Sequence, residues 1–254
     1  MRLELLTAPQ AAAAIARSPG ILWPMGSTEQ HGPHGLIGTD HLCAEAIARR
    51  FGAAHDVLVA PTLAVGQSHF QLGFPGSLAI RPSTLMAIVI DQLAALETTG
   101  IRRLYILNGH GGNIAPVRSA VAEFHAARSF AGIAPAERIV VRLRSWWELP
   151  RTDALRKRLY GADEGFHATP SEIAITQAAY PDVIAEFDAP PPLRLHDMTD
   201  HAGDNYEEAA SFRAAFPDGR VISHSALARR ADGEALLAAA VEDLAEDYAR
   251  FMAG

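Results

Sequence analysis

The chain of 254 residues contains a single cysteine, Cys43. No intrachain disulfide can form, and any metal site has to be built from histidine and carboxylate side chains. No apolar run approaches the roughly 20 residues that span a bilayer, so no membrane role is expected. The formal net charge is −7, and no broad basic face is offered to nucleic acid. The short basic stretch from Arg151 to Arg158 reads as solvated surface charge. Two enzyme signatures are missing as well. Ser27 and Ser68 lack the Gly-x-Ser-x-Gly elbow of serine hydrolases, and the glycines at 109, 111 and 112 lack the spacing of a dinucleotide loop. The segment from Met1 to Leu6, followed by alanines 11 to 14, does not have the layout of a signal peptide. With the lone cysteine, this predicts a cytoplasmic protein.

What is present is an ordinary globular composition, 49% hydrophobic and 20% charged, which predicts a sizeable core in one domain over residues 1–254. Helical patterns cover residues 9–17, 41–51, 82–99, 114–130, 171–180 and 232–252, with Thr39 or Asp40 expected to cap the second. Short apolar runs at 20–26, 57–63, 103–108 and 138–143 read as buried strands. Their alternation with helices predicts an α/β fold with a mainly parallel sheet covered on both faces. Ligands at the carboxyl ends of such strands fall on one edge. The turn-rich stretch 66–76 reads as a candidate substrate cover, and residues 189–219, opening on a proline run, read as irregular.

The chemistry gathers after the strands. Glu29-Gln30-His31-Gly32-Pro33-His34 follows the first, with Asp40 close behind; Asn108-Gly109-His110-Gly111-Gly112-Asn113 follows the third; His167 and Glu172 come later. Glu29, His31, Asp40, His110 and Glu172 make a ligand set for two divalent ions, because one carboxylate can bridge two ions while neutral imidazoles add no charge. Asp40 is the candidate bridge. Two ions about 3.5–4 Å apart activate a bridging hydroxide and polarise a carbonyl, as hydrolysis of an unactivated amide requires. His167 is the candidate proton donor to the departing nitrogen. Each assignment has a plainer alternative: His110 as a turn residue, Glu29 and His31 as loop polarity, and Ser171 with Glu172 as a helix cap and first-turn charge. Cys43 reads as inert core. His34, His41, His69, His196, His201 and His224 read as supporting or surface residues, His69 being singled out by its aromatic loop. Phe70, Phe74, Trp146 and Trp147 are candidates for shaping the pocket, with packing as the alternative.

Taken together and in order, these motifs, with Ser68-His69-Phe70 and Phe74-Pro75-Gly76 between them, resemble the creatininase (creatinine amidohydrolase) family. The resemblance implies a three-layer α/β/α sandwich, two divalent metal ions per chain, zinc with manganese or iron as alternatives, and a homohexamer. It implies hydrolysis of a non-peptide or cyclic C–N amide bond in a small molecule. It further implies that Glu29, His31, Asp40 and His110 are metal ligands, with Asp40 bridging, and that His167 is catalytic. Creatininase proper carries a metal-binding glutamate two residues after the histidine of its Asn-Gly-His motif, where this chain has Gly112; Glu172, matching the family's other glutamate, is then expected to complete the second metal's shell and to belong to the catalytic set. The Asn-Gly-His-Gly-Gly-Asn version resembles the broader family, which includes a formamide hydrolase of flavin biosynthesis and the peptidase that trims the mycofactocin precursor. The alternatives carried forward are a metallopeptidase acting on a short peptide and a catalytically inactive, metal-stabilised binding protein.

Overall fold

The computed structural model describes residues 1–134, 138–188 and 208–254; the proline run from Ala189, His196 and His201 lie outside them. Three strands form the sheet: β1 (Gly20–Met25), β2 (Arg103–Asn108) and β3 (Val140–Ser145). They pair in that order, all parallel, with Gly20 opposite Arg103 and Met25 opposite Asn108, and with Asn108 in turn opposite Ser145. The register brings all three carboxyl ends to one edge. The strand-to-strand connections carry α2 (Thr39–Ala54), α3 (Pro82–Thr98) and α4 (Ile114–Phe130), after an opening α1 (Ala8–Arg17). After the sheet come α5 (Pro150–Tyr160), α6 (Pro170–Ala179), the short α7 (Ala209–Ala215) and the closing α8 (Arg230–Ala253).

Side chains alternate across each strand, so β1 and β2 feed two separate cores. Leu22, Tyr105 and Leu107 point to the face covered by α2, α6 and α8, among Ile47, Phe51, Ile173, Leu237 and Leu244. Ile21, Trp23, Met25, Leu104 and Ile106 point to the other, among Leu85, Val89, Leu93, Val117 and Phe124 of α3 and α4. This is the expected α/β/α layering. No helix among the described residues is long and apolar enough to cross a membrane.

Four expectations need correction. The run 57–63 lies parallel beside β1, touching it at Leu22↔Val59 and Met25↔Leu63, but only as isolated bridges. Pro24 and Pro61 each lack the N–H that a continuous ladder would use. Neither Thr39 nor Asp40 caps α2; Gly38 holds the cap position, and the Thr39 hydroxyl donates to Leu36 O at 2.7 Å, which frees the Asp40 carboxylate. At the start of α6 the cap is Thr169 rather than Ser171, in a reciprocal capping box with Glu172. The basic stretch on α5 is not merely solvated: the amides of Arg151 and Thr152 donate to Asp243 of α8, and the Arg151 guanidinium pairs with Asp243 at 2.9 Å.

Candidate metal centre

At the carboxyl edge of the sheet the chain leaves β1 and β2 through tight turns, and these turns carry the candidate ligands Glu29, His31 and His110. Gly109 passes directly over the start of α2, where a Cβ would overlap the Asp40 carbonyl. Only glycine permits that approach, and it brings His110 to Asp40. Asn108 fixes the turn from both sides, accepting from His110 N–H at 3.1 Å and donating to His110 O at 2.7 Å. Asn113 then ties it to the exit of β1 through Gly26 O at 2.9 Å.

The four residues Glu29, His31, Asp40 and His110 are all buried. Asp40 sits between the two imidazoles, with Oδ1 at 3.0 Å from His31 Nε2 and Oδ2 at 2.9 Å from His110 Nδ1. Glu29 Oε2 lies 3.5 Å from His110 Nδ1, and Glu172 Oε1 lies 3.8 Å from His31 Nε2. The second nitrogen of each ring meets a backbone carbonyl: His110 Nε2 meets Gln67 O at 2.9 Å, and His31 Nδ1 meets Glu29 O at 3.1 Å. A donated bond there sets the tautomer and turns the opposite lone pair into the site, as metal-bound histidines require.

These atoms fall into triads whose donor atoms all lie within 4.8 Å of one another: Glu29, Asp40 and His110; His31, Asp40 and Glu172; and Glu29, His31 and His167. Asp40 belongs to the first two. Both oxygens of Glu29 are buried without a hydrogen-bond partner, and Asp40 Oδ2 has only the His110 ring nitrogen beside it. Buried carboxylate oxygens left unpaired cost stability unless a cation meets them. A donor set of carboxylate and imidazole around such oxygens fits a pair of divalent ions.

The electrostatics agree. Burial pulls the His31 imidazolium pKa down, but Asp40 and then Glu172 outweigh it and raise it to about 10. Burial likewise opposes the charged His110, yet Glu29 and Asp40 raise it to about 9. Burial lifts Glu29 and Glu172 to about 7. For Asp40, burial is overcome by the two imidazoles, which hold its carboxyl well below the usual range. The metal-free site is therefore a proton store, and a divalent cation replaces those protons with its own charge.

His167 stands in the loop ahead of α6, its backbone bridged to Val221. Its Nδ1 is 3.7 Å from Glu29 Oε1, and its Nε2 is 2.8 Å from Gln30 O. Burial, and then the neighbouring His31 charge, push it down to about 3, so the ring is neutral. Glu172 is the first-turn residue of the capping box, Oε1 accepting the Thr169 N–H at 2.5 Å, and the same oxygen faces His31 at 3.8 Å.

The centre opens into a cavity of about 470 Å³. Phe70, Trp146 and Trp147 line it as expected, joined by Phe166 and Phe212, while Phe74 does not. Phe74 packs instead on Phe212 and under the Arg213 guanidinium. The cover stretch forms a 3₁₀ turn, His69–Gly73, with Gln71 fully buried. His69 meets Gln67 at 2.9 Å and belongs to no ligand triad among the described residues. Cys43 is buried core, its thiol donating to Glu172 O at 3.3 Å. Sequence reasoning missed Gln30 and Gln71, whose amides crowd His167 Nε2 at 3.0 and 3.2 Å, and it missed Arg156 and Glu164 on the cavity wall. Gln30 could have been suspected from its place between Glu29 and His31, and Gln71 from its place in the cover stretch; Arg156 and Glu164 carry no local signal of their own.

Comparison with known proteins adds four findings. The family model described as creatininase, creatinine amidohydrolase, matches residues 4–248. The creatinine amidohydrolase of Pseudomonas putida is 27% identical over 240 residues, covering 89% of this chain and 87% of its own. The mycofactocin precursor peptide peptidase of Mycolicibacterium smegmatis is 40% identical over 111 residues, which is 41% of this chain and only 44% of the peptidase. Among solved structures, a mutant creatininase of the Zn-Zn type superposes with a TM-score of 0.78 at 26% identity, covering 97% of this chain and 96% of its own.

Proposed function

The chain belongs to the creatininase family, and from that premise we propose that it is a two-metal amidohydrolase, with Glu29, Asp40 and His110 holding one divalent ion and His31, Asp40 and Glu172 the other. The observation that carries this reading is the sharing of Asp40 between two triads, one of its oxygens turned to each. Ions held there would supply Lewis-acid polarisation of a carbonyl and a lowered pKa for attacking water. Zinc is the first candidate, supported by the Zn-Zn relative, with manganese and iron compatible with the same donors.

The remaining residues hold and protect the reacting group. His167, neutral and lining the cavity beside Glu29, is placed to take the proton released by the attacking water and pass it to the departing nitrogen. Gln30 and Gln71 fix its ring. Phe70, Trp146, Trp147, Phe166 and Phe212 exclude bulk water from one side of the cavity, which strengthens every charge interaction within it. The substrate is a small amide, lactam or formamide, the protein is a single cytoplasmic domain, and its assembly is a homohexamer, in keeping with the family.

A second reading, trimming of a short peptide, is favoured by the 40% identity to the mycofactocin peptidase and by a cavity in the size range that encloses drug-sized ligands. The test is metal content per chain together with hydrolysis of creatinine, formamides and short peptides by wild type, Glu29→Gln and His110→Ala. Two ions per chain, with metal and activity lost together in the variants, is the expected result. A fully metallated but inactive wild type would favour a binding protein, and a chain that takes up no divalent metal would end the amidohydrolase reading.

A further inference from the structure

Resting on the amidohydrolase reading, we propose that the stretch 219–225 is a strap that positions His167 for proton transfer, with Ser223 as the positioning residue. No ligand triad among the described residues draws on this stretch. It lies against the loop that carries His167 in a short antiparallel pairing of His167 with Val221. The Phe166 N–H donates to Val221 O at 2.9 Å, and the Val221 N–H donates to His167 O at 3.2 Å. The Ser223 hydroxyl donates to the same His167 carbonyl at 2.5 Å, and the Ser225 hydroxyl donates to Ala168 O at 2.8 Å. Val221, Ser223 and Ser225 are all buried, so each of these bonds is made away from water and its loss is not made good by solvent. The strap also grips the far side of the ring. Gln30, whose main-chain carbonyl meets His167 Nε2 at 2.8 Å, donates from its side-chain amide to Gly219 O at 3.0 Å. A Cβ at Gly219 would overlap that amide. The backbone of His167 and the residue that meets its ring are thus held by one segment.

The strap is held at a cost in backbone strain. Ala168 has φ +54° and Ile222 φ +59°, a left-handed conformation that disfavours any residue with a Cβ and is an outlier for a β-branched one. Glycine would hold either turn without that cost. Of the three non-glycine residues with such a φ among the described residues, these two flank the His167–Val221 pairing. Strain of this kind persists where the surrounding contacts over-determine the backbone, and it collects at functional sites. Its use here can be read from what each turn joins. Ile222 separates the two donors, the Val221 N–H and the Ser223 hydroxyl, that converge on one carbonyl. Ala168 turns the chain between His167, which lines the cavity, and Thr169, which caps α6. A group that passes a proton has to meet both partners at hydrogen-bond distance, and a misplacement of about 1 Å can cost about 10²-fold in rate.

The test uses the zinc-loaded full chain and, as substrate, whichever of creatinine, the formamides and the short peptides the wild type hydrolyses fastest. Ser223→Ala removes one hydroxyl donor and leaves the Val221 pairing in place. It is expected to lower kcat about tenfold, with KM and bound zinc unchanged. Hydrogen exchange of the peptide carrying residues 163–169, read by mass spectrometry, is expected to quicken about tenfold in the same variant. Ile222→Gly and Ile222→Ala both delete the isoleucine side chain, but only glycine relaxes the left-handed turn, so the glycine variant is expected to melt above the alanine variant. If Ser223→Ala leaves either kcat or the exchange of that peptide unchanged beside an active wild type, the strap is overturned and the metal reading stands. Loss of zinc in Ser223→Ala would also overturn it, because Ser223 would then support the metal centre rather than His167. A glycine variant no more stable than the alanine variant would remove the strain from the account. A zinc-loaded wild type that hydrolyses none of the compounds would overturn the amidohydrolase reading, and the positioning role with it.

Discussion

The two sides of the cavity are built differently. On the side of the candidate ligands, Glu29, His31, Asp40 and His110 come from turns leaving two adjacent strands and from the start of one helix, with His31 and His110 tied to groups two residues away. On the opposite side, Phe70, Trp146, Arg156, Glu164 and Phe212 come from a 3₁₀ turn, the exit of β3, α5, a loop and α7. The first side sits on short turns at the strand ends and carries buried carboxylate oxygens with no hydrogen-bond partner. The second draws on segments scattered through the chain. The contrast separates chemistry, fixed by a few local turns, from selectivity, assembled from distant segments.

The sharpest way to break that division is at Asp40. Asp40→Asn takes away the charge common to both triads, and metal affinity is expected to fall by more than the roughly 10–100-fold that follows loss of a supporting group around a metal. Elemental analysis after dialysis checks this, and retention of both ions would contradict it. His167→Ala comes next, with kcat reduced by about 10²–10⁴ and metal content unchanged, read from steady-state kinetics beside elemental analysis. A parallel loss of metal would instead make His167 a ligand, as its triad with Glu29 and His31 allows.

The difference between the two sides also explains what could be read in advance. Glu29, His31, Asp40 and His110 were legible because each stands at a strand end or helix start in a glycine-rich turn, where residue type and position agree. The parallel sheet followed from the alternation of apolar runs and helices. The failures were of other kinds. Two prolines removed the donors that would have made 57–63 a strand. Thr169 rather than Ser171 caps α6 because Pro170 occupies the first helical position, where its missing N–H costs nothing. Nothing near Glu164 or Arg156 in the sequence marks them, since their partners lie on other elements.

A smaller effect sharpens the electrostatic side of the comparison. In the metal-free protein the pKa values of His31 and His110 are raised from 6.5 to about 10 and about 9, and those of Glu29 and Glu172 from 4.5 to about 7. A group whose pKa is raised on folding stabilises the chain below its unfolded pKa and loses that contribution as pH climbs through its folded pKa. The metal-free chain should therefore lose stability from about pH 5 to pH 7 through the carboxyls and from about pH 7 to pH 10 through the imidazoles. Zinc displaces those protons, so the loaded protein should hold its Tm across the same range. Calorimetric scans with and without zinc decide it, and superimposable pH profiles would count against the proton store. The smallest expected change is Thr169→Ala, which removes one helix cap at a cost of about 1 kcal/mol, seen as a Tm lowered by a few degrees.

The most direct measurement is a crystal structure of the zinc-loaded chain with anomalous scattering recorded at the zinc edge. The account predicts two peaks per chain, one among Glu29, Asp40 and His110 and one among His31, Asp40 and Glu172, with the two oxygens of Asp40 divided between them. A single peak, or an Asp40 carboxylate bound to one ion alone, would contradict it.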